Sequence, residues 1–179
     1  MITGVVSRIR LADPDDAPAL HALYDPSAPR AALLDQRREP MWPTLAEMRE
    51  LLSRKEAQRG AFYTVEDLEG NIRGFCSVRG MNQEAGFGDI ALLLHGDTLE
   101  TPIADEVYQF LYRRAFENLR LHKVLSHTLE GEISLRAYLL SRGFEACGLQ
   151  REVLFSRGKW HDVHVLALHA PRFTHAATP

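Results

Sequence analysis

Long apolar runs are missing from this 179-residue chain. Their absence excludes a helical membrane span, which needs about 20 consecutive apolar residues, so no membrane partner is expected. Cysteine is scarce too. The only two, Cys76 and Cys147, are too few for a disulfide framework in a chain of this length. They read as reduced thiols of a cytoplasmic protein. No charge sign dominates: 21 Lys and Arg stand against 24 Asp and Glu, a net charge of -3. With no long basic run, nucleic acid is not an expected partner. The opening stretch MITGVVSRIRLADPDD lacks the basic segment of a secretory leader. Internal repeats and low-complexity segments are absent. His161, His164 and His169 invite a metal reading, but strand geometry opposes it. Residues three apart on a strand point to opposite faces, and His161 would lie about 26 Å from His169 at about 3.3 Å per residue. No metal site is expected.

What is present is an ordinary globular balance, 45% hydrophobic and 25% charged, able to bury a sizeable core. Residues 1–169 are expected to form one domain, with 170–179 a frayed tail. Ser7 to Leu11 reads as a strand, and Asp13-Pro14-Asp15-Asp16 as helix-start chemistry. Ala17, Leu20 and Leu23 follow at helical spacing. Residues 25–43 hold four prolines and read as loop, with a short helix around Arg30 to Arg37. Thr44 and Glu47 have capping-box spacing ahead of the apolar stripe Leu45, Met48, Leu51 and Leu52. Ala61 to Glu66 and Ile72 to Arg79 alternate as strands around the turn Glu69-Gly70-Asn71. Phe87 to Leu94 is nearly all apolar at its end, which suits a central strand. The period then switches. Thr101-Pro102 opens a long amphipathic helix through Ile103, Val107, Phe110, Leu111, Ala115 and Leu119. Lys123 to Leu129 is a strand, and Ser134 to Arg142 a helix closed by Gly143. Val153 to Ser156 and Asp162 to Leu168 are two last strands.

This order predicts a mixed α/β domain. It resembles the GNAT superfamily of acyl-CoA-dependent N-acyltransferases, most of all the branch that acetylates protein N-termini such as those of ribosomal proteins. The run YRRAFENLRLHKV (112–124) looks like that branch's long helix and following strand. The run SLRAYLLSRGFEACGLQREVLFSRGKWHDVHVLAL (134–168) carries Gly143-Phe144, Gly148, Arg151 and Asp162 at matching places. The resemblance implies a GNAT fold: a central mixed, mostly antiparallel sheet of about seven strands flanked by about four helices. It implies acetyl-CoA as cofactor, and as acceptor a primary amine on a peptide N-terminus, amino sugar or small metabolite. Relatives pair as dimers, which allows a homodimer. The reaction is direct amine acylation, with a base taking the amine proton and an acid protonating the leaving thiolate.

In that family the pantetheine arm lies against the fourth strand, here ending at Leu92-Leu93-Leu94, and the pyrophosphate meets the next helix start. The cofactor candidates are therefore Leu92, Leu93, Leu94, His95, Thr101, Ile103 and Ala104. The loop HGDTLETPIADE (95–106) departs from the glycine-rich pattern. Pro102 removes an N–H, Thr101 competes as a cap, and Asp97, Glu100, Asp105 and Glu106 oppose a diphosphate. Two other readings follow from it: a GNAT-fold protein without turnover, serving in binding or regulation, and a transferase of a different acyl donor. For the acid, Tyr138 stands one residue before the family's usual tyrosine position, which is held by Leu139. Ser134 is likewise one residue early for the branch's serine; its bland alternative is a helix cap. Glu84 and Asp89 are the candidate bases, and His95 is a further one. Asp162 is expected to bond a neighbouring backbone or an arginine such as Arg151. Arg37-Arg38 and Met41-Trp42-Pro43 are candidate acceptor-side residues.

Overall fold

A computed structural model describes residues 2–23, 44–54, 62–94, 101–156 and 158–170. Strand β1 (Ile2–Thr3) pairs with β2 (Ser7–Leu11). A single 3-10 turn, Pro14–Asp16, leads into α1 (Ala17–Leu23), and α2 spans Leu45–Ser53. The strands β3 (Phe62–Asp67), β4 (Ile72–Asn82) and β5 (Phe87–Leu94) follow. Helix α3 covers Pro102–Arg113 and continues as a π-type turn, Arg114–Asn118. Then come β6 (Lys123–Leu129), α4 (Ile133–Ser141), β7 (Glu145–Ser156) and β8 (Lys159–His169).

Among the described residues all eight strands join one sheet in the order β1-β2-β3-β4-β5-β6-β8-β7. Every neighbouring pair is antiparallel except β5 and β6, which run parallel. This is the expected mostly antiparallel sheet with four helices, plus one strand. The extra strand is β1, whose two exposed residues carry no hydrophobic period. Its turn is held from outside: Glu106 on α3 accepts hydrogen bonds from the Val5 and Val6 N–H groups and from Ser7 Oγ, at 2.6, 3.1 and 2.6 Å.

The two sheet faces bury different helices. Cys76 and Val78 of β4, Ile90 and Leu92 of β5 and Val124 of β6 form one core with Val107, Tyr108, Leu111 and Tyr112 of α3 and Leu135 and Leu139 of α4. Phe75, next to Cys76 and so on the opposite face, packs with Ala17 and Leu20 of α1 and Leu52 of α2. The starts of α1 and α2 are tied locally. Asp16 returns a carboxylate to Asp13 N–H at 2.8 Å while Asp13 caps Asp15 N–H. Thr44 and Glu47 form the capping box read from their spacing. The Glu69-Gly70-Asn71 turn is closed by the Asp67 carboxylate, which accepts from Glu69 and Asn71 N–H.

Strands β4 and β8 each run three residues past the bounds read from the sequence, to Asn82 and back to Lys159, and two further boundaries depart more. The long helix after Pro102 turns π-type at Arg114, where its apolar spacing continues unchanged and gives no warning. Strand β7 starts at Glu145 rather than Val153. Register shifts at Ala146/Gly148 and Gln150/Leu154 break its period, and its first eight residues are exposed. Asp162 accepts the Glu152 N–H at 2.8 Å across the second of these bulges, so the backbone alternative holds there. Among the described residues no helix is long and apolar enough to cross a membrane.

Candidate active site

The sheet forks in its middle. Strands β5 and β6 pair only at Phe87↔Lys123, Gly88↔Val124 and Asp89↔Leu125. Beyond Asp89, the segment Ile90–Leu94 keeps β4 along one edge, while β6 continues against β8. The inner edge of β5 is thus left without a strand partner among the described residues. Backbone amides along such an edge present unpaired donors and acceptors. Leu92, Leu93 and Leu94 lie on this open arm. On the β6 arm, Thr128 is fully buried and its Oγ1 has no hydrogen-bond partner among the described residues. A buried polar atom without a partner costs free energy, so both arms suit an extended ligand rich in amides. The pantetheine arm of coenzyme A is such a ligand.

Helix α3 begins beyond the end of β5. Thr101 is its cap, and its Oγ1 accepts Ala104 N–H at a long 3.4 Å. Pro102 offers no N–H and Ala104 N–H goes to the cap, so Ile103 supplies the turn's first donor not taken by Thr101. Ile103 packs against the main core and Ala104 is fully buried, which explains the need for a small residue there. The acidity of this turn is largely answered internally. Asp105 accepts hydrogen bonds from Tyr138 Oη and from the Arg142 guanidinium, which also forms its ion pair. Glu106 is occupied by the β1–β2 turn. The repulsion toward a diphosphate expected from these two carboxylates is therefore reduced. Asp97, Glu100 and His95 lie outside the described residues, as do Arg37, Arg38 and Met41-Trp42-Pro43 and the helix expected around Arg30 to Arg37.

Tyr138 sits on α4 with its ring against Tyr108, centroids 5.4 Å apart, and beneath the Arg142 guanidinium at 4.9 Å. Burial, and then its bond to Asp105, push its phenol well above the ordinary tyrosine range. It stays protonated at neutral pH. Ser134 is exposed in the first turn of α4 and is not the cap; Glu132 holds that position, its carboxylate accepting Leu129 N–H at 2.8 Å. Glu84 is exposed in the turn between β4 and β5, at the closed end of the fork. Cys76 is fully buried, and burial drives its thiol far above its ordinary range. It is no nucleophile.

Asp89 occupies the last paired position before the strands part. Its face is opposite to that of Ile90 and Leu92, on the side that α1 and α2 cover. There Oδ1 lies 3.6 Å from Nδ1 of His127, two residues past Asp89's partner Leu125 on β6. Arg79 is directly across from Asp89 on β4. His127 was not singled out from the sequence. Its signal is the parallel register of β5 and β6, which no local pattern encodes. The arrangement can hold an acyl donor between the arms and present a titratable Asp–His pair where they meet.

The acetyltransferase (GNAT) domain family matches residues 8–145 of the chain. Among solved structures, spermidine N-acetyltransferase from Vibrio cholerae in complex with CoA and spermine matches with a TM-score of 0.78 at 18% identity, covering 93% of this chain and 96% of that one. A protein described as a probable acetyltransferase matches with a TM-score of 0.74 at 20% identity, covering 95% of this chain and 96% of that one. No curated protein sequence matches.

Proposed function

The chain belongs to the GNAT acetyltransferase family, and from that premise we propose that it acetylates the primary amine of a small, amine-bearing molecule. Members of the family use acetyl-CoA, which supplies the activated acetyl group as a thioester. The observation that carries the reading is the fork, whose parallel pairing ends at Asp89↔Leu125.

The chain's own groups divide the work. The open edge of Ile90–Leu94 holds the donor in an extended form by backbone hydrogen bonds, as a missing strand would. Ile103 offers its N–H at the positive end of α3, and Ala104 offers its own where a phosphate displaces the long bond to Thr101. Arg142, fixed by Asp105 and stacked on Tyr138, keeps a cation beside that turn. Tyr138 holds a proton at Oη, and is the candidate to hand it to the departing sulfur once Asp105 releases it. Closely packed Leu135, Leu139 and Tyr108 exclude water from that side.

The likeness to a spermidine N-acetyltransferase supports a polyamine-like acceptor. The sequence resemblance to the N-terminal acetylating branch supports a peptide α-amine as second reading. Calorimetric titration with acetyl-CoA, followed by thiol release with spermidine, spermine, an amino sugar and a short peptide, separates them. Micromolar one-to-one binding with turnover on a polyamine is the expected result. Absence of binding at millimolar acetyl-CoA overturns the proposal. Turnover on the peptide alone moves the acceptor to a protein N-terminus.

A further inference from the structure

We infer that His127 is the general base of this site and that Asp89 is its positioning residue; the inference rests on the acetyl-transfer reading above. The geometry has three parts. First, the pair stands where the two strands separate: Asp89 is the last residue of β5 in register with β6, and His127 is the next β6 residue on the same face. Second, the carboxylate lies beside the ring. Oδ1 of Asp89 lies 3.6 Å from Nδ1, beyond a hydrogen bond but close enough for its charge to favour an imidazolium. Third, both groups keep partial access to solvent, with side-chain exposures of 19% for His127 and 31% for Asp89. A fully sealed imidazole could not exchange protons with an incoming amine.

Among the described residues, the pair has neighbours on both adjoining strands. On β4, Arg79 is the cross-strand neighbour of Asp89 and completes the charged row. On β8, the residues facing His127 are Val163, Val165 and Ala167, all apolar. On β6 itself, Lys123 is drawn away over the Phe87 ring, 5.8 Å from its centroid. Glu84, the other candidate base, is exposed at the closed end of the fork.

The step balances without any added reagent. The acceptor's ammonium nitrogen gives one proton to the His127 imidazole, which becomes imidazolium and passes it on to solvent. The amine lone pair so exposed attacks the acyl carbon; the C–N bond forms as the C–S bond breaks, the nitrogen gives up its second proton and the departing sulfur takes one up, so the sum is amide, thiol and one proton released to solvent. Asp89 stabilises the imidazolium while it lasts.

The test uses wild type, His127→Gln and Asp89→Asn. Acetyl-CoA binding by calorimetry first establishes that each variant is folded. His127→Gln is expected to lower kcat/KM at neutral pH by about 10²–10⁴-fold and to erase the acid limb of the pH profile. Asp89→Asn is expected to keep that limb but move it to lower pH. A second readout is independent of turnover: the His127 ring resonance, titrated in the free protein, moves its midpoint to lower pH in Asp89→Asn. Wild-type kcat and an intact acid limb in His127→Gln overturn the base assignment and leave the acetyltransferase reading standing. An unmoved midpoint in Asp89→Asn overturns the role given to Asp89. A wild type that binds acetyl-CoA yet acetylates no amine overturns the functional reading and the base with it.

Discussion

A Cβ placed on Gly80 would lie 2.9 Å from Oδ2 of Asp89, so the carboxylate is seated in the space that a side chain at Gly80 would fill. The seat is made by a register shift between Arg79 and Asn82, where Gly80 takes a φ of +57°. Gly80→Ala meets both obstacles. The left-handed backbone costs about 1–2 kcal/mol with a Cβ, and the carboxylate must move off its seat. Melting temperature should fall, and kcat should fall with acetyl-CoA affinity nearly unchanged. Unaltered kinetics would show that Gly80 does not set the position of Asp89.

Gly74 makes a comparable demand on the open arm. A Cβ there would meet the Leu93 carbonyl oxygen at 2.1 Å and Leu94 Cα at 2.8 Å. These are backbone atoms that have no rotamer to escape into. Gly74→Ala should therefore displace the end of β5 and weaken acetyl-CoA binding measurably by calorimetry, in contrast to Gly80→Ala. Equal affinity in the two variants would separate Leu93 and Leu94 from the cofactor.

Tyr138 and Asp105 form the link between α4 and the first turn of α3. Removing the hydroxyl in Tyr138→Phe deletes one hydrogen bond to a carboxylate that Arg142 still pairs, at a cost of about 1–3 kcal/mol. If Tyr138 also delivers the proton to sulfur, kcat drops while KM for the donor stays. A loss of stability alone assigns Tyr138 to packing.

Acid should find the protein's weak point at Asp16. Arg10 grips it at 2.6 and 2.7 Å, Thr64 donates to it at 2.7 Å, and Glu66 shares the same guanidinium. Burial alone would raise the Asp16 carboxyl, but the hydrogen bonds from Arg10, Asp13 N–H and Thr64 hold it below the usual 3.8. A depressed native pKa means stability that is complete above the unfolded value and lost as pH falls through the native one. Chemical denaturation of wild type should thus show stability falling below about pH 4. Asp16→Ala, which leaves the half-buried Arg10 to Glu66 alone and takes the acceptor from Thr64, should lose about 1–3 kcal/mol at neutral pH. A flat acid profile would remove Asp16 from this role.

Much of the fold was readable because its signals are local. The Thr44–Glu47 spacing, the Glu69-Gly70-Asn71 turn, Thr101-Pro102 and the apolar close of Phe87–Leu94 each state their structure within a few residues. The site was legible in part. Asp89 was recognised as a carboxylate near the fork, but its partner His127 belongs to a strand reached only after the whole of α3, and the parallel register alone brings them together. Asp105 and Glu106 looked like obstacles to phosphate because their partners, Arg142, Tyr138 and the Val5–Ser7 turn, are far away in sequence. The bulges of β7 hid the first eight residues of that strand, 145–152, because two shifts of register erase its alternation.

Three rungs of parallel ladder join β5 to β6, whereas the antiparallel joints from β2 to β5 and from β6 to β7 each run over five pairs or more. A donor lying in the fork bridges β5 and β6 over the stretch where no rung exists, and so acts as a clasp as well as a reactant. Anything that binds only the native state adds about 2.7 kcal/mol at a concentration 100 times its Kd. If the donor binds there as proposed, its removal leaves the two half-sheets to their three rungs and to the helices α3 and α4 packed across them.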